Sequence, residues 1–254
     1  MKLPSTPSFS LKNKRALIVG ASSGIGLACA VALAEYGASI TIAARRTQKL
    51  EELSNSLESK NIAVELLELD ISKTNKTLET INDLDPFDIL VNSAGMAKHS
   101  YCVETKESDF DDVMGINLKG AYFLTMAVAK RLMSAKKSGS LINISSQMGL
   151  VGGQERAVYS ASKHAVEGFT KSIAIELGSA DIRVNTICPT FILTDLTKPT
   201  FEDPEKIAWI KSKIKLGRVG KVEDIMGAVV FLASDASSLI TGSSLVIDGG
   251  WTAE

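Results

Sequence analysis

Short apolar runs alternate with amphipathic stretches along most of this 254-residue chain. Residues 15–20, reading RALIVG, form the first run, which is the length and composition of a strand buried on both faces. An alanine-rich helix follows from Ile25 to Tyr36 and ends at Gly37. A strand is predicted over 39–44, a polar helix over 47–58, and strands over 63–70 and 89–92. The segment between the last two is short, and its helix near residues 73–81 is expected to make only two turns. Downstream, the pattern predicts helices over 109–136, 159–177 and 222–232, and strands over 140–145, 182–189 and 244–248.

Strands and helices taking turns at this spacing predict an α/β chain on a parallel sheet covered on both faces. No proline-rich, low-complexity or acidic linker divides residues 1–254, so a single domain is expected. Pro4 and Pro7 mark residues 1–12 as a loose arm. The irregular stretch 190–218, with Phe201, Trp209, Pro199 and Pro204, is the expected lid over a site at the sheet end.

Composition narrows the partners. A formal charge of −1 gives no reason to expect nucleic acid or a membrane surface. No run is long enough to span a bilayer, and the first ten residues lack an apolar signal core. Cys29, Cys102 and Cys188 are scattered and odd in number, which fits a reducing compartment, and a cytoplasmic location is expected. His99 and His164 have no carboxylates at metal-ligand spacing, so no metal is expected. His164 is expected to pack, and His99 to lie in a loop that borders substrate or solvent.

Two groups of residues carry chemistry. Gly20, Gly24 and Gly26 follow a strand and open a helix. Glycine lets such a turn tighten and lets backbone approach a pyrophosphate, while the helix N-terminus offers unpaired N–H groups. The spacing G-x-x-x-G-x-G fits the general dinucleotide fingerprint only in part. An acidic residue closing the second strand would hold an unphosphorylated ribose. Here Ala44 is followed by Arg45 and Arg46, whose guanidinium groups suit a 2′-phosphate, so NADP (NADPH) is favoured over NAD.

The second group is Tyr159 and Lys163, one helical turn apart, with Ser145 at the end of a strand upstream. A phenol ordinarily titrates near 10 and needs a neighbouring cation to act as a proton donor and acceptor. Lys163 shares a helix face with Tyr159 and is also placed to reach ribose hydroxyls. The Ser145 hydroxyl is placed to hold a substrate oxygen as charge develops on it. Gln147 and Arg156, between Ser145 and Tyr159, are candidates for binding a polar or anionic substrate.

These motifs resemble the short-chain dehydrogenase/reductase family over nearly the whole chain. The glycine loop 20–26, the segment NSAG over 92–95, Asn117 in GIN, and Ser145, Tyr159 and Lys163 all match family positions. The resemblance implies a single Rossmann-type domain with a doubly wound, seven-stranded parallel sheet and helices on both faces. It implies catalysis by Asn117, Ser145, Tyr159 and Lys163, with Asn117 anchoring a proton-relay water. Substrate would meet Ser145, Gln147, Arg156 and Tyr159. The implied cofactor surface runs through Gly20, Ser22, Ser23, Gly24, Ile25 and Gly26, then Arg45, Arg46, Asp70 and Ile71, with Asp70 at the adenine. It continues through Asn92, Ala94, Gly95, Tyr159, Lys163 and Pro189 to Ile192 and Thr194 at the carboxamide. A homotetramer is implied as well.

Two departures stand out. Ser93 replaces the family's second asparagine, and Thr190 replaces a glycine after Pro189. Threonine does not take a positive φ cheaply, so that turn is expected to be remodelled. The activity expected is reversible reduction of a ketone to a secondary alcohol, with 3-oxoacyl thioesters and keto-sugars or sugar acids as alternative substrates. A nucleotide sensor without turnover and a redox-neutral epimerase remain alternatives on the same scaffold.

Overall fold

The first strand sets the plan of the sheet. In β1 (Arg15–Val19), Ala16 and Ile18 face one side and Leu17 and Val19 the other, and all four are buried. Period-two alternation in a strand apolar on both faces requires a cover on each. α1 (Gly24–Glu35), α2 (Thr47–Glu58) and α9 (Glu223–Ala233) supply one cover, packing Leu33, Leu50, Leu53 and Val229 around Ile18 and Ile42. α3 (Thr74–Asp83), α5 (Ala121–Ser134) and α6 (Ala157–Leu177) supply the other, with Ile81, Leu124, Val128 and Ile173 over Leu17 and Leu90. Each such fully buried aliphatic side chain contributes roughly 1.5–3 kcal/mol of transfer free energy.

The remaining strands are β2 (Ser39–Ala44), β3 (Val64–Glu68), β4 (Ile89–Asn92), β5 (Gly139–Ile144), β6 (Ile182–Pro189) and β7 (Ser244–Ile247). All seven are parallel, in the order β3-β2-β1-β4-β5-β6-β7. Strand order reverses between β1 and β4, and a crevice outside the carboxyl ends at such a switch point is where ligands bind. This computed structural model describes residues 1–254 except Lys2, Asn61, Leu196 and Glu254.

Several elements differ from expectation. α3 has 10 residues, close to three turns rather than two. The helix expected over 109–136 is built in three pieces: α4 (Glu107–Met114), a π-helical turn (Gly115–Gly120) and α5. The stretch 190–218 holds two short helices, α7 (Lys198–Phe201) and α8 (Pro204–Lys213), the second capped by Asp203, whose carboxylate accepts from the N–H groups of Glu205 and Lys206. Leu196 in that stretch lies outside the described residues. The expected arm is tied down at its end: Leu11 is buried, its N–H donates to Tyr36 O at 2.8 Å, and Phe9 lies 6.4 Å from Phe231. Thr190 has no positive φ; its N–H donates to Ile247 O and extends the β6–β7 ladder, which is the remodelling its side chain demands.

Candidate active site

A cleft of about 580 Å³ opens at the carboxyl ends of the strands and reaches from Arg46 to Tyr159. Its floor is the turn after β1. Gly20 has φ +82°, and a Cβ there would stand 2.6 Å from Ala94 N; a Cβ on Gly26 would collide with Gly20 O. Backbone this close leaves room only for glycine, so the N-terminus of α1 stands open to the cleft, as a pyrophosphate requires. At one end Arg46 donates to Ser22 Oγ at 2.9 Å and Ser23 Oγ at 3.3 Å. Arg45 acts on Asp70 instead, through its charge. Burial pushes the Asp70 carboxyl up, but hydrogen bonds from Ser72 and the charges of Arg45 and Lys73 outweigh it and hold it below the usual carboxylate range. These residues fit a phosphorylated dinucleotide: glycine backbone for the pyrophosphate, and a cation with two hydroxyls, but no carboxylate, beyond β2.

At the other end lie Tyr159 and Lys163, on the first two turns of α6. Lys163 is buried, its Nζ donates to Ile144 O at 2.9 Å, and it stands 5.7 Å from the centre of the Tyr159 ring. The main-chain carbonyl at the end of β5 thus fixes the ammonium beside the phenol. Gly95 lets the chain approach the ammonium and Asn117; a Cβ there would lie 3.8 Å from Lys163 Nζ and 3.4 Å from Asn117 Oδ1.

Asn117 is buried in the π-helical turn, outside the lining of the cleft. Its amide donates to Met96 O at 2.8 Å and Ser162 Oγ at 3.1 Å, and its Oδ1 accepts from Met96 N–H at 2.9 Å. The side chain clamps the segment after β4 to α6.

The two serines at the end of β5 divide differently from expectation. Both serines line the cleft, but the Ser145 hydroxyl is buried and meets no oxygen or nitrogen partner; it packs where Gly149, Glu167 and the main chain of Lys163 converge, within reach of the Cys188 thiol. Ser146 points to the opposite side by strand alternation. Its Oγ accepts from Met148 N–H at 3.1 Å, which leaves its proton to donate, and it borders the cleft with Tyr159. Gln147 also departs from expectation. The 3₁₀ turn Gln147–Gly149 folds it inward, where it is 1 % exposed, away from the cleft lining, with neither amide atom paired to protein.

The other expected cofactor residues Ser22, Ser23, Gly24, Ile25, Ile71, Ala94, Pro189, Ile192 and Thr194 border the cleft, whereas Gly26 and Asn92 lie behind it. Asn92 donates to Asn143 Oδ1 at 3.0 Å and accepts from Ala94 N–H at 3.2 Å, which holds the loop after β4 against the ends of two strands. Arg156 stands outside the lining, at the start of α6, paired with His99. Asp248 is a further organiser. It accepts from the N–H groups of Gly250 and Thr252 and from the Thr252 hydroxyl, and so fixes Trp251 5.7 Å from Phe191. A single aspartate after the last strand gives no sequence signal of that role.

The doubly wound sheet, glycine turn and tyrosine–lysine pair define a nucleotide-dependent oxidoreductase. A family model described as enoyl-(acyl carrier protein) reductase matches residues 20–252. The 2-dehydro-3-deoxy-D-gluconate 5-dehydrogenase of Bacillus subtilis is 39 % identical over 96 % of this chain and 96 % of its own. A structure from Agrobacterium tumefaciens, assigned provisionally as a 2-deoxy-D-gluconate 3-dehydrogenase with bound NADP, superposes with a TM-score of 0.93 at 39 % identity, covering 97 % of this chain and 99 % of that one. The gluconate 5-dehydrogenase of Burkholderia cenocepacia, in complex with NADP and tartrate, also gives 0.93, at 31 % identity over 97 % and 98 % of the two chains. The chain belongs to the short-chain dehydrogenase/reductase family and is an NAD(P)-dependent oxidoreductase.

Proposed function

We propose that this protein interconverts a small ketone and its secondary alcohol with NADP(H), using Tyr159 as general acid and base. The observation that carries the reading is the Tyr159–Lys163 pair, locked to Ile144 O at one end of a cleft whose other end is the glycine turn and Arg46. NADPH, when bound, supplies the hydride for the carbonyl carbon. Tyr159 gives its phenolic proton to the carbonyl oxygen and takes it back in the oxidation direction. Lys163 sets a positive charge beside the phenol as the proton leaves. Ser146, rather than Ser145, donates a hydrogen bond to the same oxygen. Asn117 acts by position, holding Met96 and α6 together around the phenol.

For the cofactor, Arg46 with Ser22 and Ser23 is the 2′-phosphate site, since it is the arginine held at the glycine turn by hydrogen bonds. The NADP bound by both solved relatives supports the preference over NAD. For the substrate, the sugar-acid relatives support a keto-sugar or sugar-acid reductase, and the family model's description supports a 3-oxoacyl thioester. We also propose a homotetramer in the cytoplasm. Exposed Phe110, Tyr122 and Ile175 on α4–α6, and Trp209, Leu216 and Val246 at the β7 edge, give two apolar faces of the kind that associate. Light scattering reads the mass; a monomer or a dimer overturns that assignment.

Tyr159→Phe tests the central claim. Turnover should fall by roughly 10²- to 10⁴-fold, the range for losing general acid catalysis, while NADPH still binds. Full turnover without the phenol refutes it.

A further inference from the structure

Close to Tyr159, at the margin of the cleft just beyond its lining, stands a cation that the reduction scheme does not use. Arg156 occupies the start of α6, three positions before Tyr159. Its NH1 lies 2.9 Å from Nδ1 of His99 and within contact of Nε2. The His99 ring is in turn edge-on to Tyr159, with centroids 6.2 Å apart. Phe191 supports the guanidinium face at 5.5 Å and continues into an aromatic wall of Trp251 and Trp209. Two neighbours therefore fix the orientation of Arg156, and both are uncharged.

Burial lowers the pKa of Arg156, opposed by the charges of Tyr159 and then of Glu155. Burial, and then the charge of Arg156, hold His99 down to about 4, so at neutral pH it accepts from the guanidinium and adds no charge. No ion pair to a carboxylate accompanies Arg156 among the described residues. A guanidinium has five donors in a planar fork, and the contact to His99 engages one of its three nitrogens. A partly desolvated, oriented fork with no carboxylate paired to it is the arrangement that recognises one.

We propose that Arg156, held by His99 and Phe191, binds a carboxylate on the ketone substrate, so that the enzyme acts on short keto acids of the sugar-acid type. The proposal rests on the reading of Tyr159 as the proton donor. Side chains three apart at a helix start are roughly 5–6 Å apart at Cβ. A carboxylate a few carbons from the carbonyl spans that interval. The acyl chain and pantetheine arm of a 3-oxoacyl thioester put no charge there, and would leave the cation unpaired.

The test uses the full chain with NADPH and two ketones differing in one group: 5-dehydro-D-gluconate and L-sorbose, which has a hydroxymethyl where the first has its carboxylate. A charged hydrogen bond is worth about 1.5–3 kcal/mol. The wild type should therefore favour the acid by about 10- to 100-fold in kcat/KM, and Arg156→Gln should bring that ratio close to one. Arg156→Lys, which keeps the charge but loses the fork, should restore part of it. A role confined to structure lowers both activities and leaves the ratio where it was. That result, a wild-type ratio near one, or reduction of thioesters but no keto acid, overturns the proposal. Absence of NADPH oxidation with every ketone instead overturns the Tyr159 reading. The carboxylate site is then read by binding D-gluconate and D-glucitol to the NADP⁺-loaded protein, followed by tryptophan fluorescence. Gluconate should bind more tightly to the wild type and lose that advantage in Arg156→Gln; equal binding of the two refutes the site.

Discussion

Alanine at Ser146 and alanine at Ser145 should have opposite consequences, although the residues are neighbours. Ser146 borders the cleft with a proton free to donate, because its one hydrogen bond is accepted from Met148 N–H. Removing one donor aimed at a developing oxyanion costs roughly 10²- to 10³-fold in kcat, or about 3–4 kcal/mol of transition-state stabilisation. Ser146→Ala should lose that much with little change in NADPH affinity. Ser145 has a buried hydroxyl close against Gly149, with no oxygen or nitrogen partner. Deleting it removes one oxygen and relieves a polar atom whose lack of a partner costs about 1–3 kcal/mol. Ser145→Ala should therefore keep kcat within about threefold and leave the unfolding midpoint unchanged or raised. NADPH oxidation at saturating cofactor reads the rate, and thermal unfolding of the same preparations reads stability. A slow, well-folded Ser145→Ala beside a fast Ser146→Ala refutes the assignment.

Arg46→Gln should raise the KM for NADPH by about 10- to 100-fold, from loss of a charge-assisted contact, and leave the KM for NADH within about twofold; Arg45→Gln should do much less. Equal effects on both cofactors count against a 2′-phosphate role. Asn117→Ala strands the Met96 N–H and C=O and removes the donor to Ser162 Oγ, which keeps its own bond to Tyr159 O. It should cost about 2–4 kcal/mol in urea unfolding and lower kcat with it; an unchanged midpoint rules out the clamp. His99 contributes an acid sensitivity. Its folded pKa, about 4, lies below the unfolded value near 6.5. The unfolded chain therefore binds more protons across that window, and stability falls as pH drops from about 6.5 to about 4. His99→Gln should flatten the unfolding midpoint over this range, and an unchanged slope would mean that His99 protonates freely in the fold.

The sheet was legible because a doubly covered strand leaves an unmistakable apolar run. β2, β4 and β6 occupy the predicted residues, and β1, β5 and β7 differ by at most one at either end. The breaks inside helices were not legible. Nothing in MGINLKG separates a π-helical turn from continuous α-helix, since both present side chains at similar spacing. What selects the turn is tertiary: Asn117 reaches Met96 and Ser162, contacts formed only once β4 and α6 are in place. The serine pair failed for a related reason. Ser145 and Ser146 follow β5 directly, where each residue reverses the face, and the sequence does not say which face meets α6 and which meets the cleft.

The site is rigid because polar bonds run behind it as well as through it. Asn92, Asn143 and Thr125 join the ends of β4 and β5 to α5. Glu167, one turn past Lys163, accepts from the Thr186 and Ser244 hydroxyls and from the Cys188 thiol at 3.3 Å, joining α6 to β6 and β7. A buried carboxylate satisfied by hydroxyls is expensive to desolvate and intolerant of displacement, since moving the helix would orphan it. Apolar contacts along α6 are non-directional and would tolerate sliding by fractions of an ångström; these bonds do not. Lys163 Nζ must meet a single carbonyl, that of Ile144, and catalytic geometry loses rate steeply when displaced by about 1 Å. The polar anchors behind α6 therefore set the register in which Tyr159 and Lys163 meet the cleft, while the apolar core supplies most of the free energy that keeps the layers together.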